Sequence, residues 1–430
     1  MEELYEIFLR NPIICTDTRK IEKNSIFFAL KGPAFNANSL AKIALEGGCS
    51  LAVIDEKKYN EGSKYFLVDD VLKSLQQLAI HHRNKLKIPF IGITGTNGKT
   101  TTKELLHSVL SAKFKTAATK GNLNNHIGVP LTVLSVNEST EVAIIEMGAN
   151  HIGEIANLCS IAKPGFGIIT NIGKAHLEGF GSFEGVIKAK TELYDYLRKN
   201  MGIVFLNKDN KLLHELSGEI KSISYGISSQ NDYMGKIISS DPLVNISWKK
   251  KSENLFGEEI KTKLAGSYNF ENILSAICVG NYFGVGVQEI KNALENYTPS
   301  NNRSQVLRKG SNTIILDCYN ANPVSMEAAL KNFDQMKGGK KVAILGDMLE
   351  LGEYSIQEHE NIVEILNKVV FEQIILVGKE FSKVFIHDNF RSFLTSEEAK
   401  EYLMVNRITN SKILIKGSRG IKLESLVDVI

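Results

Sequence analysis

Gly95-Thr96-Asn97-Gly98-Lys99-Thr100-Thr101 is the stretch of this chain that decides its fold. The apolar run Phe90–Ile93 precedes it and is typical of a buried strand, while residues 101–110 (TTKELLHSVL) are typical of a helix. A glycine-rich turn between a strand and a helix directs backbone N–H groups at one point, where the helix dipole also favours negative charge. The stretch therefore predicts a phosphate-binding loop.

Two side chains of this loop suit a nucleoside triphosphate. Lys99 can reach the outer phosphates, and the Thr100 hydroxyl can ligate Mg²⁺. The general pattern G-x-x-x-x-G-K-[ST] has glycine where this chain has Ile93, so the loop is a variant. The alternative is a glycine turn followed by a chance Lys-Thr pair, and the flanking strand and helix favour phosphate binding over it.

Length and composition point to a soluble protein of several domains. A chain of 430 residues is too long for one ordinary core. Its net charge of +3, without a basic block, gives no reason to expect nucleic acid or a membrane as partner. The five cysteines are scattered, the N-terminus lacks a signal-type apolar core, and no apolar run approaches membrane-spanning length. We expect a cytoplasmic protein with reduced thiols, no membrane insertion and a monomeric state.

The pattern of elements predicts an α/β protein of three units, covering residues 1–88, 89–298 and 299–430. In the first unit we expect strands at 25–30 and 51–55 and helices at 38–46 and 71–85. The second alternates strands at 90–93, 141–146, 166–170 and 202–206 with helices, which implies parallel βαβ units. Short alternating strands over 220–264 predict a small antiparallel appendage, and a helix follows at 269–283. In the third unit we expect strands at 313–317, 341–345, 373–377 and 412–415.

Polar residues that follow the parallel strands are the candidates for chemistry, because ligands gather at the carboxyl ends of such strands. Glu146 could face a Mg²⁺ held by Thr100, or it could simply cap the next helix. His176 could ligate a metal or be an ordinary loop histidine. Lys188 and Lys190, taken alone, indicate only a solvated helix face.

Further polar loops are also candidates for ligand binding. The segment 121–130 (GNLNNHIGVP) could bind a peptide or carboxylate through its amides, and an ordinary Asx-rich loop is about as probable. In the third unit the segments 317–323, 346–352 and 416–419 all end strands, which suggests a second ligand surface. Arg303 lies just past the boundary at 298, where it could swing toward a phosphate.

Together these segments resemble the Mur ligase family, whose members build the bacterial peptidoglycan precursor. The resemblance covers nearly the whole chain. It is carried by the phosphate loop and by six further segments: 16–20 (TDTRK), 121–125 (GNLNN), 146–149 (EMGA), 170–176 (TNIGKAH), 317–323 (DCYNANP) and 346–352 (GDMLELG). Within the family, the segments 121–125, 317–323 and 346–352 point to the members that add D-alanyl-D-alanine to UDP-N-acetylmuramoyl-tripeptide. In the first unit, residues 35–38 (FNAN) replace an Asp-Gly-His-like segment of many relatives.

The resemblance implies an N-terminal α/β domain for the UDP-linked substrate, a central P-loop ATPase domain and a C-terminal Rossmann-like α/β domain. It implies ATP and Mg²⁺ as cofactors, with a carbamate on Lys190 that bridges metal. It also implies roles for particular residues. The catalytic residues would be Lys99, His176, Lys190 and Arg303. The ATP contacts would be Gly95, Thr96, Asn97, Gly98, Lys99, Thr100, Thr101, Asn269, Asn272, Arg303, Asp317 and Asn320. The metal ligands would be Thr100, Glu146, His176 and Lys190. The substrate contacts would be Thr18, Arg19, Lys31, Gly32, Asn122, Asn124, Asn125, Asp347, Lys416 and Arg419.

The implied reaction is ATP-driven formation of an amide through an acyl phosphate. Two alternatives stay open at this stage. One is a sister amide ligase of the folylpolyglutamate synthase type, and the other is a P-loop ATPase that couples hydrolysis to motion without an acceptor amine.

Overall fold

The computed structural model of the chain describes residues 1–384 and 390–430. Its helices, in chain order, are α1 (Glu2–Arg10), α2 (Ala41–Glu46), α3 (Val71–Lys85), α4 (Lys99–Ser111), α5 (Gly128–Leu134), α6 (Glu154–Ala162), α7 (Leu177–Phe180), α8 (Phe183–Lys199), α9 (Lys211–Ser217), α10 (Phe270–Tyr282), α11 (Val287–Asn296), α12 (Pro323–Gln335), α13 (Ser355–Leu366) and α14 (Ser396–Val405).

The strands form sheets of four, nine and six strands and one small hairpin. In chain order they are β1 (Ile14–Cys15), β2 (Ile26–Phe28), β3 (Lys31–Gly32), β4 (Phe35–Asn36), β5 (Leu51–Ile54), β6 (Tyr65–Leu67), β7 (Phe90–Thr94), β8 (Thr116–Ala118), β9 (Val142–Glu146), β10 (Phe166–Ile169), β11 (Ile203–Asn207), β12 (Ser222–Gly226), β13 (Tyr233–Ser240), β14 (Leu243–Lys250), β15 (Ile260–Ala265), β16 (Gln305–Lys309), β17 (Asn312–Asp317), β18 (Lys340–Gly346), β19 (Gln373–Val377), β20 (Phe390–Phe393) and β21 (Ser411–Lys416).

The nine-stranded sheet places the phosphate loop near the middle of its parallel part. Its order is β15-β14-β13-β12-β11-β10-β7-β9-β8, and β7 pairs in parallel with both β10 and β9. All five residues of β7 are buried, as its unbroken apolar character predicts for a central parallel strand. The loop after β7 therefore opens at the edge where β9 and β10 also end, and this brings residues after Glu146 and Ile169 beside it.

The antiparallel strands do not form a separate appendage, so that expectation was wrong. β12 pairs in parallel with β11, and β13 pairs in parallel with β12. β14 and β15 then continue the same sheet through antiparallel pairs. Buried side chains such as Ile246 and Trp248 pack into the same apolar core as helices α4 and α10. One continuous sheet thus carries both the phosphate loop and the antiparallel strands.

The four-stranded sheet is parallel throughout, in the order β1-β2-β5-β6. Helix α3 has the predicted bounds and packs against α5 and α6, so the apolar core runs from this sheet into the nine-stranded one. The predicted helix over 38–46 is shorter, because residues 37–40 form a 3₁₀ turn whose Asn38 is held by Asn36 and Asp55.

The six-stranded sheet has the order β16-β17-β21-β18-β19-β20, parallel except for the edge strand β16. The architecture is the predicted α/β class, with parallel-rich sheets. The strands of each sheet fall inside one predicted unit, and the boundaries at 88 and 298 stay a prediction. Over residues 1–384 and 390–430, every helix is too short or too polar to cross a bilayer.

Candidate active site

Two glycines give the phosphate loop its shape. Gly95 has φ 139° and Gly98 has φ 79°, both in the region that side-chain-bearing residues rarely adopt. A Cβ on Gly95 would overlap the Thr170 hydroxyl, and one on Gly98 would lie 2.6 Å from Oδ1 of Asn272. The loop is therefore pressed against strand β10 and helix α10, and its amides are held at the start of α4.

Lys99 begins helix α4 and folds back over the loop. Its Nζ donates to the carbonyl oxygens of Gly95 at 2.7 Å and Thr96 at 3.1 Å. Burial lowers the pKa of Lys99, and the Arg303 charge adds to this, while the Glu146 carboxylate opposes it. An ammonium group held against carbonyl oxygens in a partly dehydrated cleft is suited to exchange them for phosphate oxygens.

Glu146 is buried, and only one of its two carboxylate oxygens accepts hydrogen bonds. Its Oε1 accepts the Thr100 hydroxyl at 3.1 Å and Nδ2 of Asn124 at 2.8 Å. Its Oε2 has no hydrogen-bond partner within residues 1–384 and 390–430, and the nearest cation, Nζ of Lys103, lies 4.0 Å away. A buried carboxylate oxygen beside a hydroxyl is a donor set that Mg²⁺ accepts, so these residues fit the expected metal. The described residues contain no cluster of three or more His, Cys, Asp or Glu that could hold a metal.

Lys190 is not on a solvated face, so that expectation from its spacing was wrong. Lys190 is 2% exposed, and its Nζ lies 3.4 Å from the Ala149 carbonyl oxygen and 5.2 Å from the centre of the Phe180 ring. Burial, with the Lys99 charge, lowers the pKa of Lys190 to about 7. Lys188, two residues earlier on α8, is exposed as expected.

His176 lies just before α7 and meets a residue from the other sheet. Its Nδ1 is 2.5 Å from Oε2 of Glu350, which follows β18. This contact lowers the pKa of the Glu350 carboxyl group. His176 and Glu350 both line the cleft between the two sheets, but Nδ1 of His176 has no hydrogen-bond partner within residues 1–384 and 390–430.

The six-stranded sheet contributes positive charge opposite the phosphate loop. The guanidinium carbons of Arg303 and Arg419 lie 3.8 and 5.3 Å from the centre of the Tyr319 ring. Asp317 accepts a hydrogen bond from Nζ of the buried Lys416 at 2.6 Å. The two residues end the adjacent strands β17 and β21. Such stacked guanidinium groups are typical of sites that receive phosphate or a flat base.

Asn269 and Asn272 connect the loop to this second sheet. Nδ2 of Asn272 donates to Oδ1 of Asn269 at 2.9 Å, and Asn269 in turn donates to Oγ of Ser304 at 3.0 Å. The Thr102 hydroxyl donates to Oδ1 of Asn272 at 3.1 Å. The two asparagines therefore form a polar bridge beside the loop, as well as lining the cleft.

A cleft of about 1080 Å³ lies between the two sheets. It is lined by most of the predicted site residues: Thr96, Asn97, Gly98, Lys99, Thr100, Thr101, Asn122, Asn124, Asn125, Glu146, His176, Asn269, Asn272, Arg303, Asp317, Asn320, Lys416 and Arg419.

Other predicted residues lie outside this lining. Gly95 and Lys190 are not among the lining residues. Thr18, Arg19, Lys31 and Gly32 lie in the N-terminal unit, where Arg19 pairs with Asp17 and Lys31 with Asp55. The structure does not bring these four into the cleft, and their role as substrate contacts stays a prediction.

Asp347 is buried away from the cleft. Its two oxygens accept the backbone N–H groups of Phe381 at 2.9 Å and Glu380 at 2.8 Å, and Nε2 of His359 lies 3.7 Å from it. The carboxylate thus holds the turn after β19, and contact with a ligand stays a prediction for this residue.

Sequence reasoning missed Lys103, and it named Asn322 and Glu350 only as members of the segments 317–323 and 346–352, without a role of their own. Lys103 is 1% exposed and donates to the Thr119 carbonyl oxygen at 2.7 Å. It lies one turn after Lys99, a spacing that could have placed it near the site. Asn322 exchanges hydrogen bonds with Asn97 of the phosphate loop at 2.7 and 3.3 Å, and no local pattern in the sequence reveals that contact.

The fold and the cleft define a P-loop α/β protein in which a second parallel sheet faces the phosphate loop. Comparison with known proteins narrows this class. The sequence matches the Mur ligase middle domain over residues 93–280 and the Mur ligase, glutamate ligase domain over residues 302–419. The chain belongs to the Mur ligase family.

Individual relatives match over almost the whole chain. The UDP-N-acetylmuramoyl-tripeptide–D-alanyl-D-alanine ligase of Bacillus subtilis is 35% identical over 96% of this chain and 92% of its own length. A crystal structure of MurF from Acinetobacter baumannii superposes with a TM-score of 0.85 at 30% identity, covering 96% of this chain and 92% of that one. The crystal structure of the MurF ligase of Thermotoga maritima in complex with ADP superposes with a TM-score of 0.86 at 25% identity. It covers 98% of this chain and 97% of that one.

Proposed function

We propose that this protein is an ATP-dependent ligase that joins D-alanyl-D-alanine to UDP-N-acetylmuramoyl-tripeptide, giving the UDP-linked pentapeptide used for peptidoglycan synthesis. The observation that carries the proposal is the 35% identity over 96% of the chain to a relative of that name. The cleft supports it, because a phosphate loop faces a second polar surface across a space large enough for more than a nucleotide.

The chemistry follows from the weakness of a carboxylate as an electrophile. Transfer of the γ-phosphoryl group of ATP to a carboxylate oxygen gives an acyl phosphate with a good leaving group. The amine of the dipeptide attacks the carbonyl carbon, and phosphate leaves with the oxygen that the carboxylate supplied. In the proposal Lys99 and the loop amides hold the phosphates, and Arg303 neutralises charge from the opposite sheet.

Mg²⁺ would bind at Thr100, Glu146, His176 and a carbamate on Lys190, and it would neutralise phosphate charge. The unpaired Oε2 of Glu146 supports this set. Carbamylation would turn the amine of Lys190, which is 2% exposed, into a carboxylate-like anion, and Mg²⁺ would pair that buried negative charge. Asn269, Asn272, Asp317 and Asn320 would contact the nucleotide.

The remaining assignments belong to the same proposal. The polar loop with Asn122, Asn124 and Asn125, together with Lys416 and Arg419, would receive the peptide substrates. The three units would be the UDP-substrate, ATP-binding and ligase domains of residues 1–88, 89–298 and 299–430. Since its nucleotide and UDP-linked substrates are cytoplasmic metabolites, we place the enzyme in the cytoplasm, as a monomer.

The two alternatives predict different substrates. A folylpolyglutamate synthase-like enzyme would release phosphate with a folate and glutamate, and a motor-like ATPase would release it without any acceptor. A phosphate-release assay with ATP, UDP-N-acetylmuramoyl-tripeptide and D-alanyl-D-alanine, omitting each in turn, separates the three. We expect sustained release only with all three present, and undiminished release without the dipeptide would refute the ligase.

A further inference from the structure

Lys103 is a buried lysine to which the proposed reaction gives no role. It lies in helix α4, one turn after Lys99 and Thr100, and it is 1% exposed. Burial of an ammonium group is unfavourable unless the group is paired and hydrogen-bonded. The contacts that offset this cost therefore show which parts of the molecule the side chain holds together.

The first contact lies at the start of the polar loop, which we define as residues 119–127 between β8 and α5. Nζ of Lys103 donates to the carbonyl oxygen of the buried Thr119 at 2.7 Å. The N–H of Thr119 donates to the Ile144 carbonyl oxygen at 3.0 Å, and its hydroxyl oxygen accepts the N–H of Glu146 at 3.0 Å. Lys103 thus ties helix α4 to the point where β8 and β9 both end.

The other contacts of Lys103 are with two carboxylates. Its Nζ lies 2.8 Å from Oε1 of Glu104 and 4.0 Å from Oε2 of Glu146. The Glu104 side chain is 37% exposed, and an exposed partner contributes little. The Glu146 side chain is 2% exposed, so its charge and that of Lys103 face each other inside the protein.

Asn124 fixes the polar loop at a second point, on the same carboxylate. Its Nδ2 donates to Oε1 of Glu146 at 2.8 Å, and its carbonyl oxygen accepts the Gly148 N–H at 2.8 Å. Residues 120–123, between the two fixed points, are exposed. The part of the loop that faces the cleft is therefore held only at its root, by Lys103, and at Asn124.

The position of Lys103 on α4 connects this loop to the phosphate loop. Lys99, Thr100 and Lys103 lie within two turns of one helix, so a single rigid element carries the phosphate-binding lysine and the root of the polar loop. Phosphoryl transfer requires the two reacting atoms to be about 3–3.5 Å apart, and a displacement of about 1 Å can lower the rate by about 100-fold. The spacing between the two loops must therefore be fixed closely.

We propose that Lys103 is a positioning residue: it fixes the polar loop on helix α4, so that the carboxylate of the acceptor substrate lies within reach of the terminal phosphate of the nucleotide. Lys103 itself touches neither reactant. This inference rests on the proposed function, in which the polar loop receives the UDP-linked tripeptide.

The first test needs no substrate. Hydrogen exchange of the full chain, followed by mass spectrometry, compares Lys103→Met with the parent, because methionine has a similar length but neither donor nor charge. We expect the amides of residues 119–124 to exchange roughly 10-fold faster, with those of residues 95–101 unchanged. Glu104→Gln keeps the bond to Thr119 and should match the parent. Parental exchange in Lys103→Met, or faster exchange along the whole chain, would overturn the proposal.

The second test separates the two KM values. Lys103→Met should raise KM for UDP-N-acetylmuramoyl-tripeptide roughly 10-fold, while KM for ATP stays within about twofold of the parent. If Lys103→Met does not fold, Lys103→Gln carries the test, since its amide can donate to Thr119 but has no charge; we expect a rise of about threefold. A lower kcat with both KM values unchanged would indicate a merely structural role and would overturn the proposal.

A double variant tests whether Lys103 and Asn124 fix the same loop. If they do, Lys103→Met/Asn124→Ala should raise KM for the UDP-linked tripeptide by less than the product of the two single effects. A rise equal to that product would mean that the two residues act independently, against the proposal.

These tests also distinguish failure of this inference from failure of the function beneath it. If the parent releases no phosphate with all three substrates, the proposed function fails, and hydrogen exchange still decides whether Lys103 holds the loop. If the parent is active and Lys103→Met keeps the parental KM for the tripeptide, only the role of Lys103 is refuted.

Discussion

At the scale of single residues, Lys99 carries the clearest consequence. Its Nζ donates hydrogen bonds to the carbonyl oxygens of Gly95 and Thr96, and in the nucleotide complex phosphate oxygens would replace these acceptors. We expect Lys99→Ala to lower kcat by roughly 10³-fold, the scale of removing one preorganised charge-stabilising donor. Phosphate release measures this, and the exposed Lys188→Ala on α8 serves as the control with near-normal turnover. Near-normal activity in Lys99→Ala would contradict the loop assignment.

Lys190 gives a prediction with a definite pH direction. Its pKa is lowered to about 7, so the fraction of neutral amine, the form that reacts with CO₂, rises as pH increases through 7. With ¹³C-bicarbonate, a carbamate signal should therefore grow between about pH 6 and pH 8. The signal should be absent in Lys190→Met and retained in Lys188→Ala. A signal that survives in Lys190→Met would place the carbamate elsewhere.

Gly98 tests the shape of the loop. An added methyl group would meet the Asn272 side chain at 2.6 Å and would force φ 79° on a residue with a Cβ. We expect Gly98→Ala to raise KM for ATP at least 10-fold, because the loop amides would shift from the phosphates. Gly310→Ala is the matched control, since its φ is 56° and nothing lies within 4 Å of its added Cβ. An unchanged KM in Gly98→Ala would mean that the loop tolerates the shift.

At the scale of elements, helix α12 couples the two sheets through its first residues. Asn322 caps this helix by accepting Ser325 N–H at 2.9 Å, and its Nδ2 also donates to Oδ1 of Asn97 at 2.7 Å. Asn322→Asp keeps the cap but removes the donor, so thermal stability should change little while KM for ATP rises. Asn322→Ala should lose about 1 kcal/mol of stability as well. A wild-type KM in Asn322→Asp would show that the contact with the phosphate loop is incidental.

The sequence was most informative where an element has a strong and local signal. β7 and α3 occupy their predicted places because an apolar run and an Asp70 cap define them without help from distant residues. The strands over 220–264 were recognised as short and alternating, but their membership of the large sheet depends on pairing β12 with β11. Such pairing depends on the tertiary structure, which local sequence patterns do not determine.

Burial of Lys190 could have been inferred from helix α8 itself. Val186, Lys190, Leu193 and Leu197 follow the spacing of one helical face, and that face is buried. The expectation of a solvated face followed from the charge of the lysine and not from this helical periodicity. The contacts of His176 with Glu350 and of Asn97 with Asn322 carry no such signal, because they form only after two sheets meet.

At the scale of the whole molecule, the account depends on the six-stranded sheet closing over the phosphate loop. Lys174→Glu would place a carboxylate against the largely buried Glu358 and should favour a more open form. Small-angle scattering should give a larger radius of gyration for this variant. The double variant Lys174→Glu/Glu358→Lys should restore the parental value. Equal radii for all three would mean that this contact does not influence closure.

The central claim is that the tripeptide carboxylate is phosphorylated before the amine attacks. It is tested most directly with UDP-N-acetylmuramoyl-tripeptide labelled with ¹⁸O in the reacting carboxylate, incubated with ATP, Mg²⁺ and D-alanyl-D-alanine. Mass spectrometry of the released phosphate should find one ¹⁸O atom transferred for each pentapeptide formed. Phosphate that carries no ¹⁸O, while the pentapeptide accumulates, would contradict the acyl phosphate and with it the account of this site.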